Sequence, residues 1–80
     1  MLKVSVISPE AVLFEGEASS VTAPAFDGEV GILTGHAAMV TTLGSGKLRL
    51  SDGKSFNVQG GFVQVADNEV RVVTEKATPA

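Results

Sequence analysis

The stretch Gly28-Glu29-Val30-Gly31-Ile32-Leu33-Thr34-Gly35-His36-Ala37-Ala38-Met39 sets three glycines, the only histidine and a carboxylate between two strand-like runs. An imidazole beside glycines is the kind of group that serves as a general base. Here it has no cysteine to activate, and nothing in the spacing brings Ser5, Ser8 or Ser45 to it. Metal chemistry fares no better, because one His, no Cys and nine scattered acids offer no ligand spacing. The residue types therefore point to a structural or interface role for His36.

Glycines also cradle phosphates, but only in particular spacings. A P-loop needs four residues between its first Gly and a Gly-Lys-Ser/Thr, whereas Gly46-Lys47 is followed by Leu48 and has Thr41 where the first Gly belongs. The dinucleotide fingerprint fails as well, since Gly44-Ser45-Gly46 has Arg49 at the third Gly position. What the glycines offer is close approach and turning: Asp27-Gly28 as a turn, Gly31 and Gly35 as gaps for another backbone, and Gly60-Gly61 as a bulge or tight corner. Glu29 read from composition alone is a hydrated loop charge.

The elements that hold these residues follow from period two. Leu2, Val4 and Val6 alternate with Lys3 and Ser5; Leu48 and Leu50 with Lys47, Arg49 and Ser51; Phe56 and Val58 with Ser55 and Asn57. Successive strand side chains point to opposite faces, so these are half-buried antiparallel strands. Shorter candidates lie at Val12 to Phe14, Ser20 to Ala23, Glu29 to Leu33, Val40 to Leu43, Phe62 to Ala66 and Val70 to Thr74. Asp52-Gly53 and Asp67-Asn68 each read as a two-residue hairpin turn whose central residues take positive φ. Gly35 to Leu43 holds one helical turn at most, because Gly and Val-Thr-Thr are poor helix formers. The reading is an all-β chain, a flattened antiparallel β-sandwich or barrel of about ten short strands. One domain covers residues 1–76, and 77–80 form a short frayed tail.

Eighty residues permit one modest core, since a chain this short buries only about 60–65% of the surface it exposes unfolded. The four aromatic residues are all Phe, so aliphatic packing must carry that core, and without cysteine it does so unaided by disulfides. A net charge of -3 with dispersed Lys and Arg argues against nucleic acid as a partner. No apolar run approaches the roughly 18 residues of a membrane span, which argues against direct membrane insertion and makes any work at a membrane depend on another protein.

Gly28-Glu29-Val30-Gly31, Gly35-His36-Ala37, Gly46-Lys47-Leu48-Arg49-Leu50 and Gln59-Gly60-Gly61-Phe62-Val63-Gln64-Val65 together resemble the N-terminal domain of the epsilon subunit of F-type ATP synthases. The resemblance covers nearly the whole chain, although Thr34 and Ala38 stand where that family commonly has proline. It implies a non-catalytic part of the central rotor that docks the gamma subunit onto the membrane proteolipid ring and so couples proton- or sodium-driven rotation to ATP synthesis. Gly28, Glu29 and Val30 match the loop facing the ring, and His36, Met39 and Thr41 the segment lying against gamma. No cofactor, metal or nucleotide is implied, and the expected place is peripheral, at the cytoplasmic face of the bacterial inner (plasma) membrane. Family members usually continue into a C-terminal helical hairpin that in many bacteria inhibits ATP hydrolysis and sometimes binds ATP. A chain ending after its last strand is expected to couple the rotor without such a brake.

Two other classes compete. A biotinyl or lipoyl carrier is also a small flattened barrel and needs a modifiable lysine at a hairpin tip; Lys54 is near one, but Gly53 and Ser55 are the wrong neighbours. A generic β-sandwich interaction module would instead add a partner's strand to an open sheet edge.

Overall fold

The computed structural model describes residues 1–25, 28–35 and 37–80. Ten strands follow in order: β1 Leu2–Ile7, β2 Val12–Ala18, β3 Ser20–Ala25, β4 Gly28–Leu33, β5 Met39–Thr42, β6 Gly46–Leu50, β7 Ser55–Gln59, β8 Phe62–Ala66, β9 Glu69–Val73 and β10 Lys76–Pro79. They form two five-stranded sheets, β2-β1-β9-β8-β5 (sheet A) and β10-β7-β6-β3-β4 (sheet B). No helix occurs among the described residues, and the all-β sandwich expected from the alternation is what the chain builds.

Alternation decides the core. Leu2, Val4, Val6, Val63, Val65, Val70 and Val72 from sheet A meet Val21, Ala23, Ile32, Leu48, Leu50, Phe56 and Val58 from sheet B, all buried. Each fully buried aliphatic side chain contributes about 1.5–3 kcal/mol, and with no cysteine in the chain this burial and the strand pairing hold the fold. The aromatic share is small: Phe14 of β2 meets Phe56 of β7 at a ring separation of 5.9 Å. Gly16 makes room for it, since a Cβ there would lie 3.0 Å from the Phe14 ring.

Pairing departs from the sequence reading in three places. β1 and β9 run parallel, Val4 beside Val70 and Val6 beside Val72, in an otherwise antiparallel arrangement. β2 runs on through Glu15-Gly16-Glu17 to Ala18, because the two glutamates take its solvent face while Phe14, Gly16 and Ala18 oppose Val6, Val4 and Leu2. The expected tail is a strand: Ala77, Thr78 and Pro79 of β10 pair with Val58, Asn57 and Phe56, and Ala77 packs on the core. The candidate strand Val40 to Leu43 is present as β5, Met39–Thr42.

The turns divide similarly. Asp67 and Asn68 both have positive φ, 50° and 60°, as a two-residue hairpin requires. At the other hairpin only Gly53 does, with φ 91°. Leu50 N–H donates to Lys54 O at 2.9 Å and Gly53 N–H to Leu50 O at 3.1 Å, so the loop is Ser51-Asp52-Gly53. That is a three-residue connection with glycine in its left-handed position, not the two-residue turn expected.

Two crossings between the sheets lie side by side, β7 to β8 through Gly60-Gly61 and β9 to β10 through Thr74-Glu75. Gly61, at φ 105°, passes so close that a Cβ would collide with the Val73 carbonyl oxygen and lie 2.8 Å from Thr74 Cα. The buried Thr74 hydroxyl donates to Lys76 O at 2.8 Å and accepts from Gln59 N–H at 3.4 Å, tying the crossings together.

Candidate docking surfaces

The sequence segment singled out for chemistry is divided by the fold. The strand candidate Glu29 to Leu33 is present as β4, which takes in Gly28 as well and is an edge strand of sheet B. Glu29 stands opposite Pro24 of β3 on the outer face, exposed, while Val30 turns inward and is half-buried. Arg49 of β6 reaches across β3, and its Nη2 donates to Glu29 Oε2 at 3.1 Å and to Oε1 at 3.4 Å. Both side chains are more than half exposed, 54% and 58%, so the pair gives direction more than stability. Sequence reasoning named Glu29 and Arg49 separately but not as a pair; they are 20 residues apart and meet through strand pairing that no local pattern reveals.

His36 and the Asp27 turn lie outside the described residues. Leu33, the far end of β4, is about 13 Å from Glu29 at about 3.3 Å per strand residue, and Gly35 lies beyond it in the following turn, so the two halves of the segment serve opposite ends of β4. Gly35 N–H donates to Asn68 Oδ1 at 2.7 Å, and Asn68 O accepts from Lys3 N–H at 2.8 Å. Met39 and Thr41 face inward on β5, opposite Val65 and Val63, and are half-buried; the solvent-facing side chains of that strand are Val40 and Thr42.

The outer face of sheet A has two parts. Toward the Asn68 turn it is charged, with Glu17, Lys3 and Glu69 in one cross-strand row and Glu15, Ser5 and Arg71 in the next. These rows line a shallow depression of about 550 Å³ whose charges alternate in sign, an arrangement of solvated neighbours and not a catalytic constellation. Toward the other end the next row is apolar across four strands, Val12 beside Ile7, Ile7 beside Val73, Val73 beside Phe62, with Thr42 beyond and Val40 diagonal to Phe62. Val12, Val40 and Phe62 are 58%, 66% and 40% exposed. None of these residues was picked out from sequence as a contact residue; Val12, Ile7, Val73, Phe62 and Val40 are scattered along the chain, and only strand order brings them into one row.

The apolar row and Glu29 share an end of the sandwich. Gly28 pairs with Ala25, which bridges to Leu43 just past Thr42. Among the described residues no group of three or more metal-ligating side chains occurs. Lys54, the carrier candidate, lies back with Nζ 5.4 Å over the Phe14 ring instead of projecting from the hairpin tip.

Comparison with known proteins bears on what such surfaces serve. The ATP synthase, Delta/Epsilon chain, beta-sandwich domain matches residues 1–80. The ATP synthase epsilon chain of Leptospira interrogans is 47% identical over 77 residues, 92% of this chain and 61% of the relative, so this chain spans about three-fifths of that protein's length. The Caulobacter vibrioides epsilon chain is 40% identical over 82 residues, 99% of this chain and 95% of the relative. A chain in the cryo-EM structure of Euglena gracilis mitochondrial ATP synthase OSCP/F1/c-ring superposes with a TM-score of 0.85 at 25% identity, covering 98% of this chain and 52% of that one. A chain of the Tetrahymena thermophila central stalk/c-ring structure shares the fold, with a TM-score of 0.79 at 22% identity, 96% of this chain and 65% of that one. On the match over all 80 residues and the identity with these relatives, this chain belongs to the ATP synthase Delta/Epsilon chain beta-sandwich family.

Proposed function

We propose that this domain is a rotor coupling piece, docking the gamma subunit of an F-type ATP synthase onto the membrane proteolipid ring so that ion-driven rotation reaches the catalytic head. The observation that supports this most directly is the apolar row Val12, Ile7, Val73 and Phe62, continued by Val40, on a sheet that is otherwise polar outside. A contiguous exposed apolar row on a small domain marks a protein contact. Gamma occupies it and extends along β5, where Val40 and Thr42 face outward beside the segment holding His36, Met39 and Thr41. Met39 and Thr41 act there from behind, by supporting the strand from the core side.

Gly28, Glu29 and Val30 form the ring-facing part. The Glu29 carboxylate, held by Arg49, meets basic or amide groups of the ring loops and contributes register and partner choice more than affinity. A rotor link needs two distinct faces, and one end of this sandwich carries both, an apolar one on sheet A and an ionic one on sheet B. Such a subunit works peripherally, at the cytoplasmic face of the bacterial inner membrane.

Titration calorimetry of the chain with its cognate gamma subunit tests this. One-to-one binding is expected, weakened roughly 30-fold or more by Phe62→Asp with Val40→Asp, as for loss of an interface anchor, and spared by Glu29→Lys. Unchanged gamma affinity in the folded double variant would sink the assignment of this face.

A further inference from the structure

We propose that Asn68 is a positioning residue for the gamma-docking segment, tethering it to the β8–β9 hairpin in place of the proline restraints this chain lacks. The inference rests on the docking reading above, since it concerns how the segment after β4 is presented to gamma.

Three observations converge. The chain leaves β4 at Leu33 and enters β5 at Met39, changing sheets between them, and Thr34 and Ala38 in that connection leave φ free where proline would fix it. Gly35 N–H donates to Asn68 Oδ1 at 2.7 Å, a contact between positions 33 apart. Asn68 is itself firmly placed: it occupies the left-handed region at φ 60° in a two-residue turn, and its carbonyl oxygen accepts from Lys3 N–H at 2.8 Å. A hairpin tip joined to β1 through the backbone thus holds the chain at Gly35 through a side chain.

Asparagine is favoured in such a turn for its backbone alone, whatever its side chain touches. The tether separates from that preference by substitution. Glycine takes the same positive φ without strain, so Asn68→Gly keeps the hairpin and removes only the carboxamide. A segment ordered before binding loses less entropy when gamma arrives, and releasing it weakens the complex without touching a contact residue.

The experiment compares wild-type chain, Asn68→Gly, and Asn68→Gly with Thr34→Pro, reading gamma affinity by calorimetry, the thermal midpoint, and hydrogen exchange at the Gly35 amide. Asn68→Gly is expected to exchange faster at Gly35 and to bind gamma roughly three- to tenfold more weakly at a near wild-type midpoint, the range of one hydrogen bond, with Thr34→Pro restoring part of the affinity. A purely structural role for Asn68 would lower the midpoint and leave the proline variant without rescue. Undiminished affinity, or weaker affinity with unaltered Gly35 exchange, overturns the proposal. Failure of the folded wild-type chain to bind gamma overturns the docking reading and the partner named here, while Gly35 exchange still decides whether Asn68 holds the segment.

Discussion

Replacing Gly61 by alanine tests how the two sheets are joined. At φ 105° an L-residue is strained by about 1–3 kcal/mol even with open space around it. The space is not open: the new Cβ would collide with the Val73 carbonyl oxygen and lie 2.8 Å from Thr74 Cα, both backbone atoms that no rotamer can move. Relief requires the end of β9 to shift from the β7–β8 crossing. That stretches the 2.9 Å bond from Leu43 N–H to Gly61 O and the Thr74 hydroxyl bonds to Lys76 and Gln59, each worth about 1 kcal/mol. A loss of about 3–6 kcal/mol results, against a total stability of about 4–12 kcal/mol for a chain of this length. With no Trp or Tyr to follow, the assay is urea unfolding by far-ultraviolet circular dichroism. At a slope of about 1 kcal/mol/M the midpoint falls by about 3 M or more, and the variant is partly unfolded in buffer if the wild type starts near the lower bound. Gly31→Ala is the control: nothing lies within 4 Å of its would-be Cβ, and a stabilisation of about 0.4–1 kcal/mol is expected. A Gly61→Ala chain within about 1 kcal/mol of wild type would refute the argument, because neither the strain nor the collision would then be present in solution.

Thr74→Val keeps the shape of a fully buried side chain while deleting its hydroxyl, and is expected to cost about 1–2 kcal/mol in the same unfolding assay through unpaired backbone groups at the crossing. Glu29→Gln and Arg49→Gln, singly and together, should give a coupling energy below about 1 kcal/mol that shrinks as salt is added, since both groups are largely exposed; a larger, salt-insensitive value would mean the pair is a structural strut and not a docking group.

Much of this was legible along the chain because local alternation reports directly on burial. The inward set of β1, β6 and β7 is the set of alternate apolar residues in each run, and Asp67-Asn68 is the turn its residue types demand. Where reading failed, the cause was local too weak or too ambiguous a pattern. Glu15-Gly16-Glu17 looks like the end of a strand until Val4 and Leu2 are set opposite it, and Ala77 to Ala80 looks like a tail until β7 offers an edge. Glu29 and Arg49 each stood out in a motif, but nothing along the chain linked the two.

By itself the sequence determined that the chain is all β, that its core is aliphatic, that it turns at Asp67-Asn68 and at Gly60-Gly61, and which side of most strands faces inward. Period two and turn chemistry act within a few residues and need nothing from elsewhere. Only the tertiary structure decided the parallel seating of β1 on β9, the sheet to which each strand belongs, the collision that makes Gly61 obligatory, and the row from Val12 to Phe62. Those depend on strand order, which is set by the summed burial of both sheet faces and by loop closure over long separations, so no window of neighbouring residues contains them.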